Sequence, residues 1–429
     1  MSASTRRSIL VMAAGALATA AASARTGGMA LAEETRGTPS LRNAQIDAAL
    51  RAATAAHELP GIVALAANDR EIIYEGVFGT RRVGSSQPMT RDTVFRVASM
   101  VKTITSVAAM QLVERGKLAL DEPVPPIDPV LSAPQVLEGF GEAGAPRVRP
   151  AKRPITLRHL LTHTSGLCYR LWDAEAIRYS NAFGALPRAR RDKLPRTPLM
   201  FDPGERWEYG TSIDWVGRIV EAVSEQPLDA YFHEHILDPL GMSDTGVALS
   251  PGQRAREASA HKRRASGALE PLAMEPPTAP KKFSGGGGIY SSAPDYLTFI
   301  RMLLNDGSLN GVRVLKPETV ALMGRNQIGD VEAGRLKTTA PAFSNDVDLF
   351  PGVSLRWGIG HMINMTEGAN GRSAGSLTWG GLYNSYYWID PKKRVAGVFM
   401  TQVLPFADRR ALQAYSQFER GIYRGLKAA

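Results

Sequence analysis

Phe95-Arg-Val-Ala-Ser99-Met-Val-Lys102-Thr-Ile-Thr-Ser-Val-Ala-Ala-Met-Gln-Leu-Val113 is the stretch from which the rest of the chain can be read. From Val101 onward its apolar residues recur at helical spacing, with Val101, Ile104, Ala108 and Leu112 on one stripe, and this predicts a buried helix. Ser99 stands near the helix start, where free backbone N–H groups and the positive end of the dipole favour negative charge. Lys102 follows three residues on, hence on the same face one turn later. A serine and a lysine held side by side share a proton, and a lysine desolvated at the head of a buried helix becomes neutral enough to act as base. Alone, Ser-x-x-Lys is a weak signal, because most such quartets are a cap followed by a solvated lysine. Its weight comes from its surroundings.

Upstream, Leu41 to His57 carries apolar or small residues at helical spacing and breaks at Pro60-Gly61. Gly61 to Ala67 and Glu71 to Phe78, joined by Asn68-Asp69-Arg70, predict two strands of an antiparallel hairpin. The middle, from about Gly116 to Ser284, is interrupted by prolines and leans to helix, as in Asp214 to Val223 and Leu228 to Ile236. Strand character returns at Ser354 to Gly360, Leu377 to Ile389 and Arg394 to Thr401, before a closing helix from Arg410 to Lys427. Strands at both ends with helices between them imply one sheet domain completed by both chain ends, with a helical domain inserted. The expected division is 1–32 as an export signal, 33–115 and 285–429 as the two parts of the α/β domain, and 116–284 as the insert.

Five segments occur in the order seen in serine β-lactamase-related hydrolases: Ser99-Met-Val-Lys102, Leu160-Leu-Thr-His-Thr-Ser-Gly-Leu167, Pro203-Gly-Glu-Arg-Trp-Glu-Tyr209-Gly-Thr-Ser212, Ser284-Gly-Gly-Gly-Gly-Ile289 and Trp379-Gly-Gly381. In this the chain resembles that family, and within it the family VIII carboxylesterases. The resemblance implies an α+β, penicillin-binding-protein-like fold: an antiparallel sheet flanked by helices, with an inserted all-helical domain and the active site between the two. It implies Ser99 as the acylated nucleophile, Lys102 and Tyr209 as the base, and the backbone N–H groups of Ser99 and Leu382 as the oxyanion hole. Trp379, Gly380, Gly381, Thr211 and Tyr169 are the expected substrate-binding residues. Two departures from the β-lactamase pattern bear on substrate. Thr211 stands where those enzymes usually carry an asparagine, and Trp379 where they commonly present a cation to the substrate carboxylate. Both favour a neutral ester over a lactam or a D-Ala-D-Ala peptide. The expected activity is therefore that of a carboxylesterase needing neither metal nor cofactor, with the same residues suited to acyl transfer and to weak β-lactam hydrolysis. The alternatives are a β-lactamase, a D-Ala-D-Ala peptidase, or a catalytically silent peptidoglycan-binding envelope protein.

Composition fits a globular enzyme: 429 residues, 44% hydrophobic and 21% charged, with no repeat of solenoid length. Its 41 glycines and 28 prolines argue for many turns and against a plain helical bundle. Arg6-Arg7 before the uncharged, alanine-rich run Ser8 to Ala24 reads as a twin-arginine export signal ending at Ala30-Leu31-Ala32, which implies a periplasmic or secreted protein without stable membrane insertion. The net charge of +10 includes Arg6, Arg7 and Arg25, and much of the rest lies between Glu142 and Arg196. That segment lacks nucleic-acid-binding signatures and reads as a solvated surface. A small-molecule ester is the expected partner; the sequence is silent on oligomeric state. The lone Cys168 reads as a buried, inert thiol. Gly371-Arg-Ser373-Ala-Gly375 matches the G-x-S-x-G elbow, but turn-like residues precede it and an extended run follows, so Ser373 is a decoy. His159, His163, His233 and His235 read as structural, and the glycines at 285–288 as a close-packed turn.

Overall fold

Alternating and continuous apolar runs at the two ends of the chain meet in one sheet. The computed structural model describes residues 41–273 and 283–427; the twin-arginine segment and its cleavage site lie outside the described residues. The main elements are α1 (Leu41–Ala55), β1 (Gly61–Asn68), β2 (Ile72–Gly79), α2 (Val101–Glu114), α3 (Ser212–Ser224), α4 (Ala293–Leu304), β3 (Leu355–Trp357), β4 (Met362–Asn364), β5 (Leu377–Gly381), β6 (Ser385–Asp390), β7 (Val395–Met400) and α5 (Arg409–Lys427). The strands form a seven-stranded sheet in the order β3-β4-β5-β6-β7-β1-β2, every neighbouring pair antiparallel. The join between β7 and β1, with Val63 opposite Met400, pairs the two ends of the chain. This is the antiparallel sheet closed by both chain ends that the sequence led one to expect.

Both faces of the sheet are covered, and the pleat of β6 sorts its side chains between them. Tyr386 and Trp388 meet Tyr415 and Phe418 of α5 on one face, while Tyr387 meets Tyr296 of α4 on the other. Trp388 lies across Gly397, its cross-strand partner on β7, where a Cβ would stand 2.1 Å from the indole. Only glycine leaves room for that ring.

α2 is buried along its length from Val101 to Leu112. Polar side chains pin it: Thr103 bonds the Tyr387 hydroxyl at 2.7 Å and donates to the Gly360 carbonyl, and Tyr296 donates to the Met100 carbonyl at the helix start. A buried hydroxyl without a partner is costly, so these bonds fix the helix axially and in rotation. Residues 116–284 hold helices, as expected, but are not all-helical. Gln135–Phe140 pairs with Pro146–Pro150 as a hairpin, and His261–Arg263 pairs with Leu269–Pro271. Leu377 to Ile389, which reads as one extended run, turns at residues 382–384 to give β5 and β6.

Candidate active site

Strand Val94–Arg96 runs into a single 3-10 turn, Ala98–Met100, that leads directly into α2. Ala98 takes φ +44°, a left-handed conformation that costs a non-glycine residue about 1–2 kcal/mol, and this bend presents Ser99 at a cavity wall. The cavity, about 340 Å³, is lined by Ser99, Tyr169, Trp172, Tyr209, Gly286 to Tyr290, and Leu382-Tyr383 among others. Among the described residues its one cationic lining residue is Arg96, which pairs with Glu257 at 2.9 Å and lies over the Tyr290 ring.

Lys102 is buried, with Nζ 3.1 Å from Ser99 Oγ, 2.6 Å from the Gly286 carbonyl oxygen and 3.3 Å from the Tyr169 hydroxyl. Tyr169 in turn donates to Asp214 Oδ2 at 3.1 Å, and Ser284 donates to Asp214 Oδ1. Burial first, and the Asp214 charge second, hold the Tyr169 phenol well above the usual tyrosine range, so it stays protonated. Tyr209 is buried beside them, its ring 5.1 Å from Lys102 Nζ, and its hydroxyl accepts from the Trp379 indole N–H at 3.0 Å. The two phenols are thus distinguished by the sense of their bonds. Tyr209 oxygen accepts from an N–H, whereas Tyr169 hydroxyl donates to a carboxylate.

Several of the expected substrate-binding residues have other work. Trp379, Gly380, Gly381 and Thr211 are not among the cavity lining. Trp379 is buried beneath Tyr209, because an indole N–H taken out of water needs an acceptor and the phenol supplies one. At Gly381 a Cβ would stand 2.4 Å from the Val97 carbonyl, so this glycine lets β5 approach the bend before Ser99; Gly380 is packed under the Tyr386 ring. Thr211 caps the start of α3 without a side-chain cap bond. Leu382 and Tyr169 do line the cavity, as does Ser99, so both groups expected to form the oxyanion hole border it.

The remaining motifs are scaffolding. Gly210 has no room for a Cβ, which would stand 1.7 Å from the Leu167 carbonyl, so the segment from Leu160 to Leu167 and the segment around Tyr209 lock backbone to backbone. His163 Nδ1 accepts from Gly210 N–H at 3.4 Å, and burial, with Lys102 second, keeps its imidazole neutral. His159 closes the capping box of the helix Leu157–Leu161. The glycines at 285 and 286 press on α3, where a Cβ would meet the Ile213 carbonyl or the Asp214 carboxylate. Ser373 lies between strands β4 and β5, with no helix after it, and Cys168 is buried. The sequence reading passed over Asp214 and the Gly286 carbonyl. The one available signal for Asp214 was its place in the first turn of the helix that follows Tyr209.

The beta-lactamase family model matches residues 46–421. Monacolin J acid methylbutanoyltransferase of Aspergillus terreus is 33% identical over 396 residues, covering 88% of this chain and 95% of that protein. Lovastatin esterase of Penicillium rubens is 32% identical over 403 residues, covering 89% and 99%. A solved simvastatin synthase from Aspergillus terreus, a mutant form, superposes with a TM-score of 0.79 at 33% identity, covering 90% of this chain and all of that one.

Proposed function

This chain belongs to the beta-lactamase family, and on that footing we propose that it cleaves neutral carboxylic esters through an acyl-enzyme on Ser99. The observation that carries the reading is Lys102 Nζ at 3.1 Å from Ser99 Oγ, at the wall of a cavity of about 340 Å³. Lys102, as the free amine, takes the Ser99 proton while Oγ forms its bond to the acyl carbon, and the N–H groups of Ser99 and Leu382 receive the developing oxyanion. Tyr209 gives its phenol proton to the departing alkoxide and recovers one from the Lys102 ammonium. Water then enters and bonds to the acyl carbon; the Lys102 amine, directly or through the Tyr209 phenol, takes its proton and returns one to Ser99 Oγ as the acyl–Oγ bond breaks and the acid leaves.

An alcohol in place of that water gives acyl transfer by the same steps. This second reading is favoured by the relative named as a methylbutanoyltransferase, while the esterase relative favours hydrolysis. Aromatic walls suit an apolar acyl group, and the one cation among the described lining residues, Arg96, is already paired with Glu257. The Arg6-Arg7 segment supports a place outside the cytoplasm. A short-chain p-nitrophenyl ester tests the reading: wild type releases p-nitrophenol, Ser99→Ala loses the rate by on the order of 10⁴-fold or more, and Ser373→Ala retains most of it. A folded but inactive Ser373→Ala with an active Ser99→Ala would return the reaction to Ser373.

A further inference from the structure

We propose that Tyr169 and Asp214 are positioning residues that aim the lone pair of Lys102 at Ser99. The inference rests on the ester-cleaving reading and adds to it the means by which the lysine is held as a base. It follows from counting hydrogens. A neutral lysine Nζ has two hydrogens and one lone pair, and three oxygens surround it: Gly286 O, Tyr169 OH and Ser99 Oγ. The Gly286 carbonyl has no proton to give, so it takes one hydrogen of Nζ. Tyr169 has a single proton, and the Asp214 carboxylate, which has none, accepts it at 3.1 Å. Tyr169 oxygen therefore faces Lys102 as an acceptor and takes the second hydrogen. The remaining direction on Nζ, towards Ser99, is left for the lone pair.

The dyad is itself held in place. Ser284 donates to the second Asp214 oxygen, and Gly286 has no Cβ where Asp214 oxygens would stand 2.6–2.7 Å away. Asp214 has no direct bond to Lys102: Tyr169 is its one-residue link, and a longer route runs through Ser284 Oγ, which accepts from Gly286 N–H at 3.3 Å. If the carboxylate becomes an amide, its N–H₂ can turn to Tyr169 oxygen; the phenol proton then swings to Nζ and occupies the lone pair that Ser99 needs.

Tyr169→Phe, Asp214→Asn and the double variant test this, read by the burst-phase acylation rate and by the substrate Kd that its dependence on p-nitrophenyl acetate concentration gives. Each single substitution is expected to slow acylation on the order of 10²-fold, with that Kd changed by less than about twofold. The double variant is expected to be no slower than the slower single one, because the two act as a unit. Loss of packing alone would instead raise Kd and add between the two sites. Acylation by Tyr169→Phe within roughly threefold of wild type, or additive losses in the double variant, overturns the proposal. Tyr169→Phe keeps the ring and decides the matter even if Asp214→Asn fails to fold. Absence of turnover in wild type overturns the ester reading and this inference together, whereas normal wild-type turnover that Ser99→Ala abolishes, with a fast Tyr169→Phe, overturns this inference alone.

Discussion

Tyr209 oxygen receives the Trp379 indole N–H at 3.0 Å, and that single bond bears on which phenol moves protons. The indole occupies one acceptor site of that oxygen and so fixes where the phenol's own hydrogen can point; removing the donor frees the hydroxyl without emptying the space. Trp379→Phe is expected to slow ester turnover by about tenfold, the worth of one hydrogen bond of about 1.4 kcal/mol, with little change in KM. Tyr209→Phe, which removes the phenol altogether, is expected to cost ~10²–10⁴-fold in both acylation and deacylation. Stopped-flow rates for the two half-reactions check both, and a Tyr209→Phe enzyme with normal deacylation would exclude Tyr209 from water activation. Ser99 and Lys102 were legible in the sequence because their partnership is local, three residues apart on one helix. Tyr169 and Asp214 were not legible as its partners, since nothing local joins residues 102, 169 and 214 before the chain has folded.

At the scale of elements, long periodic segments read well. The hairpin β1–β2, the closing helix α5 and the helix that begins at Val101 stand within one residue of where their periodicity puts them. The hairpin Gln135–Phe140 with Pro146–Pro150 escaped notice because prolines and arginines obscure its alternation, and its register shifts between Leu137 and Gly139. A different element property is open to measurement at the junction of Asp173, which caps the helix Ala174–Ala185, and Glu208, which precedes Tyr209. Burial, and then the hydrogen bond with Asp173, push the Glu208 carboxyl up to about 7 from its ordinary 4.5. The folded state therefore binds this proton more tightly than the unfolded chain does. Its favourable contribution is full below pH 4.5 and is lost as pH rises through 7. Glu208→Gln is expected to flatten the stability profile across that window and to gain on wild type at pH 8, as read by denaturant unfolding. An unchanged slope between the two pH values would contradict the burial of this carboxyl.

For the whole molecule, the sheet closed by both chain ends was legible because strand signals cluster at residues 61–79 and 355–400 with helices between. Substrate preference was less legible, because it depends on which side chains the fold turns toward the cavity. Trp379 and Thr211 were expected to meet substrate; instead the indole supports Tyr209 and the threonine starts a helix. Their effect on substrate choice survives in another form: among the described residues no lysine or histidine lines the cavity, and its cation, Arg96, stands on the strand before Ser99. Ester turnover is accordingly expected to exceed penicillin and cephalosporin turnover by about 10³-fold or more in kcat/KM, in keeping with a site that offers a lactam carboxylate no matched partner. Comparable values for the two substrate classes would contradict this account of the cavity.

The central claim, that Ser99 carries the acyl group, is tested most directly by intact-protein and peptide mass spectrometry after quenching the enzyme during turnover of p-nitrophenyl acetate, with Tyr209→Phe used to slow deacylation. The account predicts one acetyl group per chain, located on the peptide that contains Ser99 and absent from Ser99→Ala. An acetyl group on Ser373 or Cys168, or turnover by Ser99→Ala at the wild-type rate, would contradict it.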